Sequence, residues 1–241
     1  DAAQGMDPVS LVAGAAQHVP QGTFGGGVDL IVLLTVLSLA PALLVMCTCF
    51  TRLVVVLGLL RQGLGTQALP PGQVMAGLAL LLTFAVMAPT LERSWNAGIK
   101  PYMDGQITSP EEAWVRARQP LRDFMFAQID ATGNWSTVYM LMQHRGQDVS
   151  DPGRLTRADV DMTTLVPAFV LSELKTAFLI GFRILLPFVV IDLVVASVLV
   201  SLGMFMVPPS LVSLPFKLLL FVMADGWQLV VGSLLSGIAP V

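Results

Sequence analysis

The sequence predicts an all-α protein, a multi-helix subunit of a membrane complex in which hydrophobic helical hairpins flank one small polar helical insertion. The distribution of charge is the first observation: 18 of the 29 charged residues lie between Glu92 and Asp161, and the other 171 residues carry only 11. The second is the low charged fraction, which is 12% against roughly 25% in soluble domains. The third is that several almost uncharged stretches are long enough to cross the ~30 Å hydrocarbon core of a bilayer.

The first 91 residues divide into two parts. Residues 1–27 are small, polar and rich in Gly. Because the chain begins at Asp1 rather than Met, we expect signal-peptide cleavage to have left them as an extracytoplasmic segment. Residues 28–91 predict a first helical hairpin, with spans at Leu30–Thr51 and Gln73–Leu91.

Two arginines predict the orientation of this hairpin. Arg52 and Arg61 lie between the predicted spans, before a turn that stops at Pro70-Pro71, and no acidic residue accompanies them. Short loops rich in Lys and Arg stay in the cytoplasm. We therefore expect a cytoplasmic link, an N-terminus outside the cytoplasm, and a second span that returns to the outside.

The polar block, residues 92–161, predicts a small helical domain outside the membrane. It holds eight basic and ten acidic residues. A helix is expected to begin with Ser109 as N-cap and Pro110 at the first position, because two acids follow in the first turn. Pro120 interrupts the apolar pattern, so two helices are expected here rather than one.

Residues 162–241 predict a second hydrophobic helical hairpin with a Met-Pro turn. Helical stretches are expected at Thr163–Ile191, Leu193–Met206 and Ser210–Leu235. Pro208 and Pro209 separate the last two stretches, because a prolyl pair cannot continue a helix.

Several charges interrupt these apolar stretches; the four that matter most are Glu173, Lys175, Arg183 and Lys217. A charge at mid-bilayer depth costs at least ~2.5–3.5 kcal/mol. On a helix Glu173 and Lys175 point about 200° apart, so no single orientation hides all the charges from lipid. We expect inter-subunit ion pairs, which require an oligomer. A proton or ion relay is one alternative; snorkelling helix-end anchors are the other, mostly for Asp192 and Asp225.

Features of enzymes, cofactor sites and nucleic-acid-binding proteins are absent from the sequence. His18 and His144 lie on different segments, and no spacing of His, Cys, Asp and Glu indicates a metal site. Neither a P-loop nor a nucleophile elbow is present. The net charge of -3 argues against nucleic-acid binding. Cys47 and Cys49 point to different faces of a helix, so they cannot pair with each other.

The Met-Pro turn carries three bulky apolar residues, Met204, Phe205 and Met206, directly before the prolyl pair. Core packing is one interpretation. The other is a deformable ring, formed when several copies of the turn meet around a symmetry axis. Such a ring would exclude water and ions by dewetting and part around a passing polypeptide.

Three segments resemble the FliP family of flagellar biosynthetic proteins and its type III secretion injectisome relatives, such as SctR. They are FTRLVVVLGLLRQGLGTQALPPGQV (Phe50–Val74), FVLSELKTAFLIGFRILLPFVVIDLVVASVLVSLGMFMVPP (Phe169–Pro209) and SLPFKLLLFVMADGWQLVVGSLL (Ser213–Leu235). The resemblance covers about Leu43–Leu235. The N-terminal 27 residues and the polar block match only in character. The long polar block favours the flagellar branch.

The resemblance implies a pore-forming core subunit of the flagellar export gate, which seals and gates the passage of unfolded flagellar polypeptides. It implies about five copies assembled with FliQ-like and FliR-like subunits, and association with FlhB-like and FlhA-like proteins. The location it implies is the flagellar basal body at the bacterial inner membrane, in contact with lipid and with a periplasmic portion.

The resemblance also implies roles for individual residues. The family's methionine-rich gasket corresponds to Met204, Phe205 and Met206, with a phenylalanine where an all-methionine loop would have its middle residue. The family's inter-subunit charge pair corresponds to Glu173 and Lys217. We therefore expect a protein that is not an enzyme. An ion-coupled multi-pass transporter and a polytopic membrane enzyme are the alternatives.

Overall fold

The computed structural model describes residues 45–65, 70–149 and 155–239, together with four isolated helical residues, Ile31, Leu34, Thr35 and Ser38. The chain divides into two compact units, Asp1–Leu44 and Val45–Val241. The predicted segment 1–27 and most of the predicted span Leu30–Thr51 lie outside the described residues.

Helices are the only regular secondary structure among the described residues, which confirms the all-α prediction. In the second unit they are α1 (Phe50–Gly63), α2 (Gly72–Ser94), α3 (Lys100–Met103), α4 (Pro110–Thr132), α5 (Trp135–His144), α6 (Met162–Ser201), α7 (Pro209–Met223) and α8 (Gly226–Ser236). A π-helical turn, Trp95–Ile99, joins α2 to α3, and a 3-10 turn, Arg157–Asp159, precedes α6.

Helix α1 lies at the centre of the core. Leu53, Val56, Leu57 and Leu60 recur at the spacing of one helical face, and all four are fully buried. Helix α6 packs along α1 at close range: a Cβ on Gly181 would lie 2.2 Å from a methyl carbon of Leu59. Small residues permit such an approach between apolar helices.

The polar block packs directly on the end of α2. A Cβ on Gly98, in the π-helical turn, would lie 2.3 Å from the carbonyl oxygen of Ala113 and 2.6 Å from the backbone nitrogen of Ala117 in α4. Buried side chains of α2, α4 and α6, including Met87, Phe124 and Phe169, join one hydrophobic cluster. Residues 92–161 therefore share their core with the rest of the unit.

Helix α4 begins as predicted but does not break as predicted. Ser109 is its N-cap and accepts a hydrogen bond from the backbone N–H of Glu112, and Pro110 is the first helical residue. The prediction of two helices is wrong, because α4 runs through Pro120 to Thr132. A proline inside a helix removes one backbone hydrogen bond. Burial of Phe124, Met125 and Ile129 beyond it offsets that loss.

The second hydrophobic region differs from its prediction at two places. The stretches expected at Thr163–Ile191 and Leu193–Met206 are one helix, α6, which continues past Asp192. Within this helix the Asp192 carboxylate accepts hydrogen bonds from Lys217 and Ser213 of α7. A single Asp lowers helix propensity only slightly and does not end a helix by itself. The break at Pro208-Pro209 is confirmed, since α7 begins at Pro209.

The final stretch, expected as one helix over Ser210–Leu235, is broken into α7 and α8. The two helices meet at a bend of 64°. Asp225 at the bend has a φ of 50°, in the left-handed region that interrupts a right-handed helix. A single exposed Asp in an apolar run gives a weak sequence signal, which is why the pattern missed this bend.

Two continuous helical stretches are long and apolar enough to cross a membrane, Gly72–Met103 and Met162–Ser201, and the bent pair α7–α8 would be a third if it counts as one span. The search covered the described residues only. Within the chain, only 28% of the most apolar 18-residue window is buried in the first stretch and 11% in the second. Their outer faces therefore need lipid or other protein chains as cover.

Replacing Asp161 with Ala should destabilise the start of α6. The Asp161 side chain accepts a hydrogen bond of 3.0 Å from the backbone N–H of Thr164 and two of 2.8 Å from Arg145. Loss of an N-cap costs about 0.5–2 kcal/mol of stability. Thermal unfolding of the purified protein would measure it.

The same residue predicts a pH dependence. Hydrogen bonding from the Thr164 side chain holds the pKa of Asp161 below its ordinary value. Since the folded pKa is the lower one, the stabilisation is present above the unfolded pKa, about 3.9, and is lost as pH falls through the folded pKa. Asp161→Asn keeps a capping oxygen but cannot titrate, so it should lack this acid-dependent loss. An identical acid profile in both proteins would contradict the assignment.

Candidate functional site

The turn between α6 and α7 exposes the predicted methionine-rich residues. We call Gly203–Val207 the tip loop. Gly203 ends α6 with a φ of 75°, and the backbone N–H of Met204 donates 2.9 Å back to the carbonyl of Leu199, as in a glycine C-cap. Pro208 is extended and Pro209 starts α7. The backbone conformation of the tip loop is therefore restricted at one end by Gly203 and at the other by Pro208 and Pro209.

Three large apolar side chains project from this turn. Met204, Phe205 and Met206 are 44%, 76% and 95% exposed. Core packing within the chain, one of the two interpretations from sequence, is therefore wrong for Phe205 and Met206. Apolar groups exposed to this degree on adjacent residues mark a surface that another molecule covers.

A second cluster is buried at the centre of the unit. Arg52 of α1 and Glu173 of α6 form a two-armed ion pair, with Nε–Oε2 at 2.8 Å and Nη2–Oε1 at 2.5 Å. Both side chains are fully buried. A charge so far from water is stable only when paired and hydrogen-bonded, and the fork of Arg fits both carboxylate oxygens.

The same arginine holds the segment that follows α8. Arg52 Nη1 donates to the carbonyl oxygen of Gly237 at 2.5 Å. Buried Gln128 of α4 binds the backbone of Ala239 in both directions, donating to its carbonyl at 3.0 Å and accepting from its N–H at 3.1 Å. These contacts connect α1, α4 and α6 to the segment after α8. We call them the buried arginine network, which consists of Arg52, Gln128, Glu173 and residues 237–239.

A third cluster joins α6 to α7. Lys217 Nζ donates 2.6 Å to the carboxylate of Asp192 and 3.0 Å to the carbonyl oxygen of Gly63, and the Ser213 hydroxyl donates 2.5 Å to the same carboxylate. Lys217 is 4% exposed, whereas Asp192 is 39% exposed and lines an open cleft of about 750 Å³ beside α1. The Asp192 carboxylate supplies the opposite charge that a Lys buried in an apolar hairpin requires.

The structure gives most of the predicted inter-subunit charges partners within the chain. Glu173 is paired with Arg52 and Lys217 with Asp192. Lys175 donates to the side-chain oxygen of Asn134 at 2.8 Å. An oligomer is therefore not required to neutralise Glu173 or Lys217, and that part of the sequence argument is wrong. The contact of Glu173 with Lys217 across a subunit boundary involves a second chain and stays a prediction.

The two arginines used for topology are not in a loop. Arg52 and Arg61 both lie within α1, and Arg52 is buried in an ion pair. The interpretation of Arg52 as a loop cation is therefore wrong, and the charge bias rests on Arg61 alone. The cytoplasmic position of the link stays a prediction.

Sequence reasoning missed Gln128 and Asn134, and it did not identify Arg52 as the partner of Glu173 or Asp192 as the partner of Lys217. The available signal was the sign of the charges: the apolar stretches hold both a cation, Arg52, and an acid, Glu173. Opposite charges in separate apolar segments are candidates to meet in the core. No comparable signal identifies Gln128 or Asn134.

Replacing Gln128 with Ala should release residues 237–239. The change removes both hydrogen bonds to Ala239 and one contact to Arg52, and we expect a loss of about 1–3 kcal/mol. Hydrogen exchange at the Ala239 amide should accelerate. Gln119→Ala is the matched control, because Gln119 is exposed on the same helix and its side chain donates to Asp123 rather than to the segment after α8. Unchanged exchange at Ala239 in the Gln128 variant would contradict this role.

The described residues contain no group of three or more His, Cys, Asp or Glu side chains placed to hold a metal ion. Cys47 and Cys49 are both free thiols. The buried polar groups described above form ion pairs and hydrogen bonds to the backbone, which stabilise and position the helices.

The chain is similar to known proteins over nearly its whole length. The FliP family model matches residues 33–234. The chain is 48% identical to the flagellar biosynthetic protein FliP of Caulobacter vibrioides over 95% of this chain and 84% of that protein. It is 49% identical to that of Bacillus subtilis, over 87% and 90%. For Aquifex aeolicus the identity is 43%, over 95% and 90%. The chain therefore belongs to the FliP family.

Proposed function

We propose that the chain is a pore-forming core subunit of the flagellar type III protein export gate, and that its tip loop seals the pore. The observation that carries this proposal is the exposure of Met204, Phe205 and Met206 on a turn whose backbone is fixed by Gly203 and Pro208. The names of its relatives place them in flagellar biosynthesis.

The seal follows from the chemistry of the loop. Several copies around an axis bring their tip loops together into an apolar constriction. Dehydrating an ion inside such a ring costs more than the ring returns, so ions are excluded. Thioether side chains repack easily, and they yield to an exported unfolded chain while the fixed backbone keeps the ring in place.

The assembly we propose contains about five copies of this chain with FliQ-like and FliR-like subunits, and it associates with FlhB-like and FlhA-like proteins. It lies in the flagellar basal body at the bacterial inner membrane, with the polar block, residues 92–161, on the periplasmic side. The broad exposed apolar faces of α6 and α7 support an assembly of several chains, since one chain alone leaves these faces uncovered. The subunit does no covalent chemistry in this proposal.

Replacing all three tip-loop residues with Ala tests the seal. The intact complex, reconstituted in planar bilayers, should conduct small ions in the variant and remain closed in the wild type. Val222→Ala with Met223→Ala is the matched control, because both residues are highly exposed but lie at the far end of α7. The control should stay closed. Equal conductance of variant and wild type, with both complexes shown to be assembled, removes the sealing role.

The alternative of an ion-coupled transporter receives less support. Its relay would have run through Glu173, Lys175 and Arg183. Glu173 is sealed behind Arg52, Lys175 is bound to Asn134, and Arg183 is exposed. The three side chains have separate surroundings and do not form a continuous path for a proton.

A further inference from the structure

The two methionine sulfurs of the tip loop are open to reagents in solution. Met206 is almost fully exposed and Met204 is nearly half exposed. Met87 and Met125, in contrast, are buried in the core of the same unit. A methionine thioether is converted to a sulfoxide by two-electron oxidants such as peroxide or hypochlorite, provided that the oxidant reaches the sulfur. The tip loop therefore presents a pair of oxidisable groups on one short turn.

The rest of the tip loop is apolar. Gly203–Val207 contains no polar side chain, and Phe205, between the two sulfurs, does not undergo this reaction. An oxygen added to Met204 or Met206 would therefore be the only polar side-chain group of the loop. Removing water from a polar group costs free energy unless another hydrogen bond replaces it. Oxidation would thus change the tip loop from a surface that sheds water into one that holds it.

We propose that Met204 and Met206 form an oxidation-sensitive modification site, and that their conversion to methionine sulfoxide opens the seal. This inference rests on the proposed function, because a seal must exist before oxidation can open it. With hydrogen peroxide as the oxidant, the sulfur attacks one peroxide oxygen, so that an S–O bond forms and the O–O bond breaks. The second oxygen leaves as water after taking the proton of the first. The sulfur loses two electrons and the peroxide gains them.

The opening follows from how an apolar ring excludes ions. Exclusion by dewetting requires that the constriction hold no water of its own. In the proposed ring the sulfurs line the passage, so peroxide reaches them from its mouths without crossing the protein. Sulfoxides at Met204 and Met206 place water-binding oxygens on both sides of Phe205 in every copy. Water that enters beside the first sulfoxides carries peroxide to the remaining sulfurs, so the opening should begin slowly and then accelerate.

Peroxide treatment of the reconstituted complex tests this site. Peptide mass spectrometry reports which methionines have gained an oxygen, and conductance in planar bilayers reports the state of the seal. In the wild type, Met204 and Met206 should be oxidised, and ion conductance should rise after a lag. Met125 should react at least about 10³-fold more slowly, because a buried sulfur waits for unfolding, whose population is about 10⁻³–10⁻⁶. Methionine sulfoxide reductases for both sulfoxide epimers, supplied with a thiol reductant, should restore closure.

Conservative variants assign the effect to these two sulfurs. Met204→Leu combined with Met206→Leu conserves volume and apolar character but cannot be oxidised in this way. Its complex should stay closed before and after peroxide. Met223→Leu is the matched control, because Met223 is also highly exposed but lies at the far end of α7. The control complex should open like the wild type.

Four results would each overturn the proposal. They are tip-loop sulfurs that stay unoxidised in the assembled complex, a closed complex that carries both sulfoxides, equal opening of the double leucine variant, and conductance that persists after complete reduction. The triple alanine variant described above separates this failure from failure of the seal. If that variant leaks while the oxidised wild type stays closed, only the oxidation site is lost. If the alanine variant stays closed, the seal and the oxidation site fail together.

Discussion

Replacing Arg52 with Ala is expected to destabilise the folded chain by about 3–5 kcal/mol, because it leaves the Glu173 carboxylate buried without a partner. Arg52 also bonds Gly237, so the segment after α8 should loosen at the same time. Denaturant titration of the purified protein would measure the loss, and reduced accumulation in cells should accompany it.

A double-mutant cycle identifies the partner of Glu173. Glu173→Leu combined with Arg52→Met should cost less than the sum of the single changes, because the double variant no longer buries a lone charge. In the isolated chain, Glu173→Leu with Lys217→Met should be additive, since the structure pairs Lys217 with Asp192. Strong coupling between Glu173 and Lys217 in the isolated chain would show that the pairing described here is incorrect. Coupling that emerges only in the assembled complex would support the subunit-boundary contact.

Replacing Gly98 with Ala is expected to cost about 3 kcal/mol, at the upper end for overpacking. The added Cβ would meet backbone atoms of Ala113 and Ala117 at 2.3 and 2.6 Å, and backbone cannot move aside as a flexible side chain does. The packing of α4 on the end of α2 should be lost, which limited proteolysis of the polar block would detect.

Gly77 supplies the matched control for this change. It lies in α2, and a Cβ there would meet nothing within 4 Å. Gly77→Ala should therefore be neutral or raise the stability by up to about 1 kcal/mol through helix propensity. Equal behaviour of the two variants would mean that the close contact at Gly98 does not hold α4.

Local signals in the sequence predicted the parts of the fold that are decided locally. The Ser109-Pro110 start of α4 and the break at Pro208-Pro209 depend on capping and on the missing proline N–H, which neighbouring residues express directly. The continuation of α4 through Pro120 is favoured by burial of the side chains beyond it, and Asp192 within α6 is paired with Lys217 of α7. Those stabilising groups come from other parts of the chain, so the local pattern could not reveal them.

The candidate sites divide in the same way. Exposure of Met206 follows from a glycine and two prolines that force a turn on the chain. The partners of the buried charges do not follow from sequence, since Arg52 and Glu173 lie 121 positions apart. Knowing that each needs an opposite charge does not say which of several candidates packs beside it. Because the pairing of Arg52 with Glu173 could not be predicted from the sequence, Arg52 was interpreted as a loop residue.

The bend at Asp225 restricts how this sequence can drift during evolution. Asp225 is the one residue other than Gly with a positive φ in the part of the chain that the structure describes. Gly, Asn and Asp tolerate that conformation, whereas a β-branched residue does not. With Val or Ile at this position, α7 and α8 would favour one straight rod of about 42 Å, longer than the hydrocarbon thickness of ~30 Å. Substitutions at position 225 should therefore be confined to three residue types, although the side chain itself is exposed.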